Sequence, residues 1–463
     1  MKNTIVRLQE IKQRNFKNVN AGTISFQSYL SKEYFTKSAE IIGLYGQNGS
    51  GKTAVIDAMR LLKIVLEGQT LPENTYDYIN SSEESACLSF VFYIEYDNKK
   101  FLVDYEFIIT KTEDKGVKII KETLSYKNFF KDEWTSKSKI IDFDTNRGKT
   151  IFLPQKRYNE VVSADKDNVV NLGVAKKMSE DKRYSFIFNK DSRKIFKTGF
   201  TSTTDYFEII NSLNYFAKYN LFVISNELSG IINTNIAIPF SFKIEEENSL
   251  SFGSLGVTIA EPAIVPIQVF DTLKTIIDQM NIVLNVLVPG LTISIENYGA
   301  QLLKNGADGI KIELVSKRGD SKIPLKYESE GIKKIISVLS TIIAMYNNSS
   351  FCLVIDELDS GIFEYLLGEI LKILETGAKG QLIFTSHNLR ALEMINKDSL
   401  VFTTTNQNNR YIRFTNVKKN NNLRNVYLRS VDLGGQDENI YEETNSFEIS
   451  RALRLAGRGA MNG

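Results

Sequence analysis

The run GQNGSGKT, Gly46 to Thr53, combines glycines at 46, 49 and 51 with a terminal Lys-Thr pair. Glycine has no Cβ, so the backbone can curl there until several N–H groups face one anion. A helix starting directly afterwards adds the positive end of its dipole. Lys52 would reach the β- and γ-phosphates of a nucleotide, and Thr53 would offer a hydroxyl to Mg²⁺, which takes oxygen ligands and keeps several waters. Gln47, Asn48 and Ser50 fill the remaining places. An ordinary glycine turn is the alternative, but EIIGLYG before the run reads as a strand and TAVIDAMRLLKIVL after it as a helix, the context that the phosphate reading needs.

A second constellation lies in FCLVIDELDSG, where an apolar run ends in Asp356 and Glu357. The run reads as a buried strand, and successive strand side chains point to opposite sides, so the two acids should have different roles. Asp356 would hold the magnesium through water; Glu357 would orient or deprotonate the water that attacks the γ-phosphate. A solvated acidic strand end is the plainer alternative. The chain's only histidine, His387, closes another apolar run, LIFTSHN.

With Asp359 two residues beyond Glu357, where a D-loop aspartate would stand, the sequence resembles the ABC-type ATPase superfamily. That resemblance implies that His387 is the switch histidine at the γ-phosphate. It also draws in IPLKYESEGIKKIISVLS, in which Ser329, Glu330, Gly331 and Lys333 resemble the signature segment. In such heads the signature serine and its helix reach the ATP held by another subunit, which implies a homo-oligomer built from ATP-dependent dimers. Serine before a helix is equally an N-cap. The segment departs from the transporter form LSGGQ, with Tyr327 and Glu328 ahead and Ile332-Lys333 behind, and is closer to the SMC-like and OLD-like branch. QRNFKNV resembles that branch too: Arg14 and Lys17 are candidates for phosphate or ribose contacts, or are simply solvated. No glutamine can be placed as the Q-loop residue.

These residues need a scaffold. The resemblance implies an α/β P-loop fold of ABC/SMC/OLD-like type: a mixed central sheet, an antiparallel meander lobe and an inserted, mostly helical subdomain. The meander is read from CLSFVFYIEYD, KKFLVDYEFIIT and GVKIIKETLSY, three runs of alternating hydrophobicity separated by charged turns. Residues 1–160 would form the N-terminal part of the head, 161–265 the helical insertion and 266–463 the C-terminal part. The last third alternates strand and helix, as a mainly parallel sheet requires.

Bulk properties exclude several classes. Lys+Arg (57) nearly balances Asp+Glu (55), so no global basic field draws the chain to nucleic acid or a membrane surface. Two cysteines without a CxxC pair support neither a disulfide framework nor a thiolate zinc site. No signal peptide or long apolar span is visible, so a cytoplasmic location is expected.

The layout resembles the OLD-like ATPases of bacterial anti-phage defence, similar to the ATPase subunits of PARIS and AbiL-type systems. The resemblance implies ATP and Mg²⁺ as ligands, a separate effector, expected to be a TOPRIM nuclease since too few residues follow His387 to hold such a domain, and a phage-encoded trigger. An SMC-like DNA-repair or DNA-clamping ATPase is the alternative, and direct DNA contact stays open. Transporter energising fits poorly with the altered signature.

Overall fold

A computed structural model of the chain describes residues 4–35, 38–148, 150–201, 204–225, 230–232, 234, 236–245, 250–303, 305–415 and 422–459. In chain order come β1 (Ile5–Phe16), β2 (Val19–Ser25), α1 (Gln27–Leu30), β3 (Glu40–Tyr45) and α2 (Lys52–Glu67). Strands β4 (Ser85–Tyr96), β5 (Lys99–Lys111), β6 (Val117–Phe130), β7 (Glu133–Trp134), β8 (Ser138–Asp144) and β9 (Phe152–Leu153) form the meander. Helices α3 (Gln155–Ala164), α4 (Asn168–Lys182), α5 (Lys190–Gly199) and α6 (Tyr206–Tyr219) lead to β10 (Leu221–Ile224), β11 (Ala237–Glu245), β12 (Leu250–Thr258) and β13 (Ala263–Pro266). Then follow α7 (Ile267–Leu287), β14 (Leu291–Leu302), β15 (Asp308–Arg318), β16 (Ser321–Pro324), α8 (Glu330–Asn347), β17 (Cys352–Ile355) and α9 (Glu364–Gly377). The chain closes with β18 (Gln381–Thr385), α10 (Ala391–Met394), β19 (Leu400–Thr403), β20 (Tyr411–Ile412), α11 (Leu423–Leu433) and α12 (Ser446–Gly459).

The core sheet runs β10-β17-β18-β3-β19-β20, parallel except for the last pair. Its inner strands EIIGLY, CLVI and QLIFT are buried at every position, as strands covered on both faces must be. Cys352 pairs with Gln381 and Gln381 with Glu40, so β17, β18 and β3 start level. Their carboxyl ends therefore bring residues 356, 386 and 46 to one edge, where ligands bind in open parallel sheets.

The second sheet, β2-β1-β4-β5-β6-β8-β9 with β7 beside β6, is antiparallel throughout. Arg7, fully buried in β1, fastens it to the core sheet: its guanidinium donates to Glu40 at 2.6 Å and to the carbonyls of Ser349 and Lys379 at 3.0 and 2.7 Å. The Gln381 side chain makes both backbone bonds of Leu8, at 2.8 and 2.7 Å. One hydrophobic core joins this lobe, α2 and the helices; the other joins α7, α8 and α9 on the opposite side of the core sheet.

The α/β fold with its antiparallel lobe is thus the expected one, whereas the insertion is not the mostly helical unit 161–265. Its helices begin at Gln155 and end at Tyr219. They share the meander's core, with Phe143 stacked on Phe186 at 4.2 Å and the buried Glu122 accepting from Tyr105, Ser185 and the Phe186 N–H, each at 2.6 Å. Leu221–Ile224 is the edge strand of the core sheet, and residues 237–258 form a hairpin. Among the described residues, no helix is long and apolar enough to cross a membrane.

Candidate functional site

The glycine loop follows β3 and opens α2, as its context requires. Gly46, Gly49 and Gly51 all have positive φ, at 151, 76 and 97°. Gly46 has a further reason to be glycine: a Cβ there would lie 1.7 Å from Thr403 Oγ1. That hydroxyl bonds to Ser50 Oγ, which also donates to the Gln47 carbonyl at 2.6 Å. The Tyr411 hydroxyl donates to Gly51 O at 2.8 Å. Lys52 is buried, and its ammonium donates to the carbonyls of Gly46 and Gln47 at 2.7 and 2.9 Å. Burial pushes its pKa down, and Asp356, Glu357 and Asp359 push it back up.

At the end of β17 the chain departs from strand geometry. Glu357 sits at φ 47°, so alternation stops at Ile355, and both Asp356 and Glu357 line the same cavity. This corrects the expectation that the two acids point to opposite sides. A single hydroxyl organises them: Thr385 Oγ1 donates to Asp356 Oδ1 at 2.6 Å and accepts from the Glu357 N–H at 2.7 Å. Asp356 is 2 % exposed, yet its Oδ2 has no hydrogen-bond partner. Burial raises its pKa and so does Glu357, against the Thr385 bond. A buried carboxylate oxygen without a partner, facing a cavity also lined by Thr53, fits a hard divalent cation. Among the described residues no cluster of three or more His, Cys, Asp or Glu could hold a metal. A cation here would draw its other ligands from the Thr53 hydroxyl, water and phosphate.

His387 follows β18, the strand between β3 and β17. Its backbone N–H donates to Asp359 Oδ2 at 3.0 Å, while the exposed imidazole lines the cavity with Lys52 and Glu357. Desolvation, helped by Lys52, holds its pKa below the usual value, against the pull of Asp359, Glu357 and Asp356. The cavity measures about 420 Å³ and brings residues 17–18, the glycine loop, the 356–357 pair and the β18 end together.

Lys17 and Asn18 line it as well. Lys17 forms an ion pair with Asp57 of α2 and lies 4.8 Å from the Tyr78 ring, and Asn18 donates to the Gly49 carbonyl. Arg14 does not reach the cavity and is exposed. On β1 the neighbouring Gln13 points inward, donating to Ala54 O at 3.2 Å, so Arg14 faces the other way.

Ser329 caps α8, accepting from the Ile332 N–H at 3.4 Å, so the N-cap and signature readings coincide. None of residues 329–331 lines this chain's own cavity. Gly331 is pressed on the loop after β17: a Cβ would sit 1.9 Å from Gly361 O. Lys333, expected to act across a subunit boundary, is 3 % exposed and buried in its own fold, which removes it from that role.

Thr385, Thr403 and Tyr411 escaped the reading of the sequence. The last two approach the loop from β19 and β20, far away in the chain, and no motif announces them. Thr385 carried one available signal, its place two residues before His387 at a strand end.

The profile of one protein family, described as "AAA domain, putative AbiEii toxin, Type IV TA system", matches residues 41–393. No curated protein matches the chain. Among solved structures, the SMC head domain from Thermotoga maritima is 15 % identical with a TM-score of 0.39, covering 88 % of this chain and 99 % of that one. The Pyrococcus furiosus Smc head domain with an extended coiled coil, bound to the C-terminal domain of ScpA, is 12 % identical with a TM-score of 0.39, covering 89 % and 97 %. The recombination mediator protein RecF with ATPγS-type nucleotide, titled "RecF-ATPrS in RecFOR pathway", is 13 % identical with a TM-score of 0.34, covering 82 % and 93 %.

Proposed function

The chain belongs to the AAA-domain family whose profile spans most of it, and from that premise we propose that this P-loop ATPase is the nucleotide-driven scaffold of an anti-phage defence system. One observation carries the nucleotide part: four separate segments place Lys52, Thr53, Asp356, Glu357 and His387 around one cavity at the carboxyl edge of the core sheet. The loop N–H groups, the start of α2 and Lys52 would hold the phosphates. Thr53 and Asp356 would hold Mg²⁺, which supplies charge neutralisation of the phosphate oxygens. Glu357 would orient or deprotonate the attacking water, and His387 would meet the γ-phosphate.

We further propose that the signature end of α8, with Ser329 and Glu330, completes this site in a second copy. Its support is negative and positive at once. These residues are absent from the chain's own cavity, while the large aromatics Tyr327 and Phe363 beside them are 70 % and 68 % exposed.

The effector is proposed to be a separate chain, a TOPRIM nuclease, released or activated when a phage-derived trigger arrives. The family's description names a toxin–antitoxin system, and the described residues hold no acidic metal cluster of the kind nuclease chemistry uses. Copurification from the native operon tests this reading. A nuclease retained with the wild-type chain supports it. Salt-sensitive DNA binding by the ATPase alone, with no protein retained, would favour the SMC-like DNA-clamping alternative.

A further inference from the structure

Lys334 is 4 % exposed, an uncommon place for an ammonium. It stands three residues after Gly331 on α8, and residues so spaced share a helix face. Gly331 is where that face meets the loop after β17, backbone against backbone at Gly361. The side chain of Lys334 therefore enters the fold beside the loop that carries Asp356, Glu357 and Asp359. Burial pushes its pKa down, while Glu357, Asp356 and Asp359 push it up; Asp356 in turn is lowered by Lys334. The same three carboxylates act on Lys52. They thus lie between two ammonium groups of one chain, one on the phosphate-loop helix and one on the signature helix. Lys52 is committed to the loop carbonyls of Gly46 and Gln47.

We propose that Lys334 is a positioning residue for hydrolysis: the signature helix contributes its ammonium in cis to hold the Asp356–Glu357–Asp359 loop. It ties the helix bearing Ser329 to the acid that orients water. Whatever docks at the Ser329 end would then be felt at Glu357 through α8 itself. The proposal rests on the ATPase reading of the site.

Two measurements on the full chain test it. In steady-state kinetics, Lys334→Met should lower kcat about tenfold or more while ATP affinity changes by no more than about threefold, and Lys334→Arg should recover much of the loss. Unchanged turnover in Lys334→Met, or a loss of ATP binding in step with kcat, overturns the assignment. In melting experiments without nucleotide, Lys334→Met and Glu357→Gln should be non-additive, the double variant melting above the sum of the single shifts, because one removes a charge that the other no longer needs balanced. Additive shifts overturn it as well. If Lys334→Met does not fold, Lys334→Gln carries both comparisons. A wild-type chain that hydrolyses no ATP refutes the ATPase reading alone, and the melting cycle still decides the place of Lys334.

Discussion

Thr385 is where a single hydroxyl governs two acids, so it gives the sharpest test at the scale of one residue. Thr385→Val keeps the shape and removes the bond to Asp356 Oδ1 and the acceptor of the Glu357 N–H. With Asp356 Oδ2 already without a partner, the carboxylate would lose its remaining bond. Bonds to charged groups are worth about 1.5–3 kcal/mol, so chemical denaturation should show a loss of roughly that size, and kcat should fall more than ATP affinity. Wild-type turnover in the variant would deny Thr385 its organising part. Lys52→Ala tests the cradle separately: calorimetry should show ATP affinity greatly weakened, since Lys52 is the loop's only side-chain cation. The glycine loop, Asp356, Glu357 and His387 were legible because their chemistry depends on contiguous residue types. Thr385 was not, since a threonine ending a strand is ordinary until the acids beside it are seen. Arg14 misled because a basic side chain says nothing about which face of β1 it takes, and the inward place belongs to Gln13.

Between elements, the decisive contacts join segments hundreds of residues apart, and this is where the sequence was least readable. LFVI directly follows an aromatic-rich helix and has only four residues, too short for periodicity to separate it from that helix. Pairing with β17 is what makes it a core strand. Arg7 looked like a polar residue of an alternating strand; instead it is fully buried, with Glu40 and two backbone carbonyls as partners. Removing one member of a buried pair strands the other charge, so Arg7→Ala should cost about 3–5 kcal/mol in denaturant unfolding. The loss should be structural, with ATP binding retained wherever the variant still folds, because Arg7 holds the strand starts and not the edge where the cavity lies. Gly331→Ala probes a different joint. Its Cβ would overlap Gly361 O, so α8 or the loop after β17 must move. Hydrolysis should drop while the glycine loop still binds nucleotide, and equal losses of both would mean a general collapse.

For the whole molecule, the question is whether one chain is the working unit. Its cavity has the phosphate loop, the acids and the histidine but nothing from the Ser329 end of α8, which projects elsewhere with Tyr327 and Phe363 exposed beside it. Exposed aromatics of this size are the usual anchors of protein interfaces, and Ser329 with the first turn of α8 offers N–H groups to an anion. ATP would add that anion only when bound to a facing copy, making association depend on nucleotide. Glu357→Gln, which should bind ATP without turning it over, is the background in which to look. Sedimentation of this variant should shift from monomer to dimer on adding Mg²⁺ and ATP, and chelating Mg²⁺ should reverse the shift. Adding Tyr327→Glu or Phe363→Glu should abolish the dimer while calorimetry still records ATP binding, because a charge buried at an interface without a partner costs several kcal/mol. Dimers that ignore both substitutions would place the interface on another face. A variant that stays monomeric at saturating ATP would leave the Ser329 end without a nucleotide to complete.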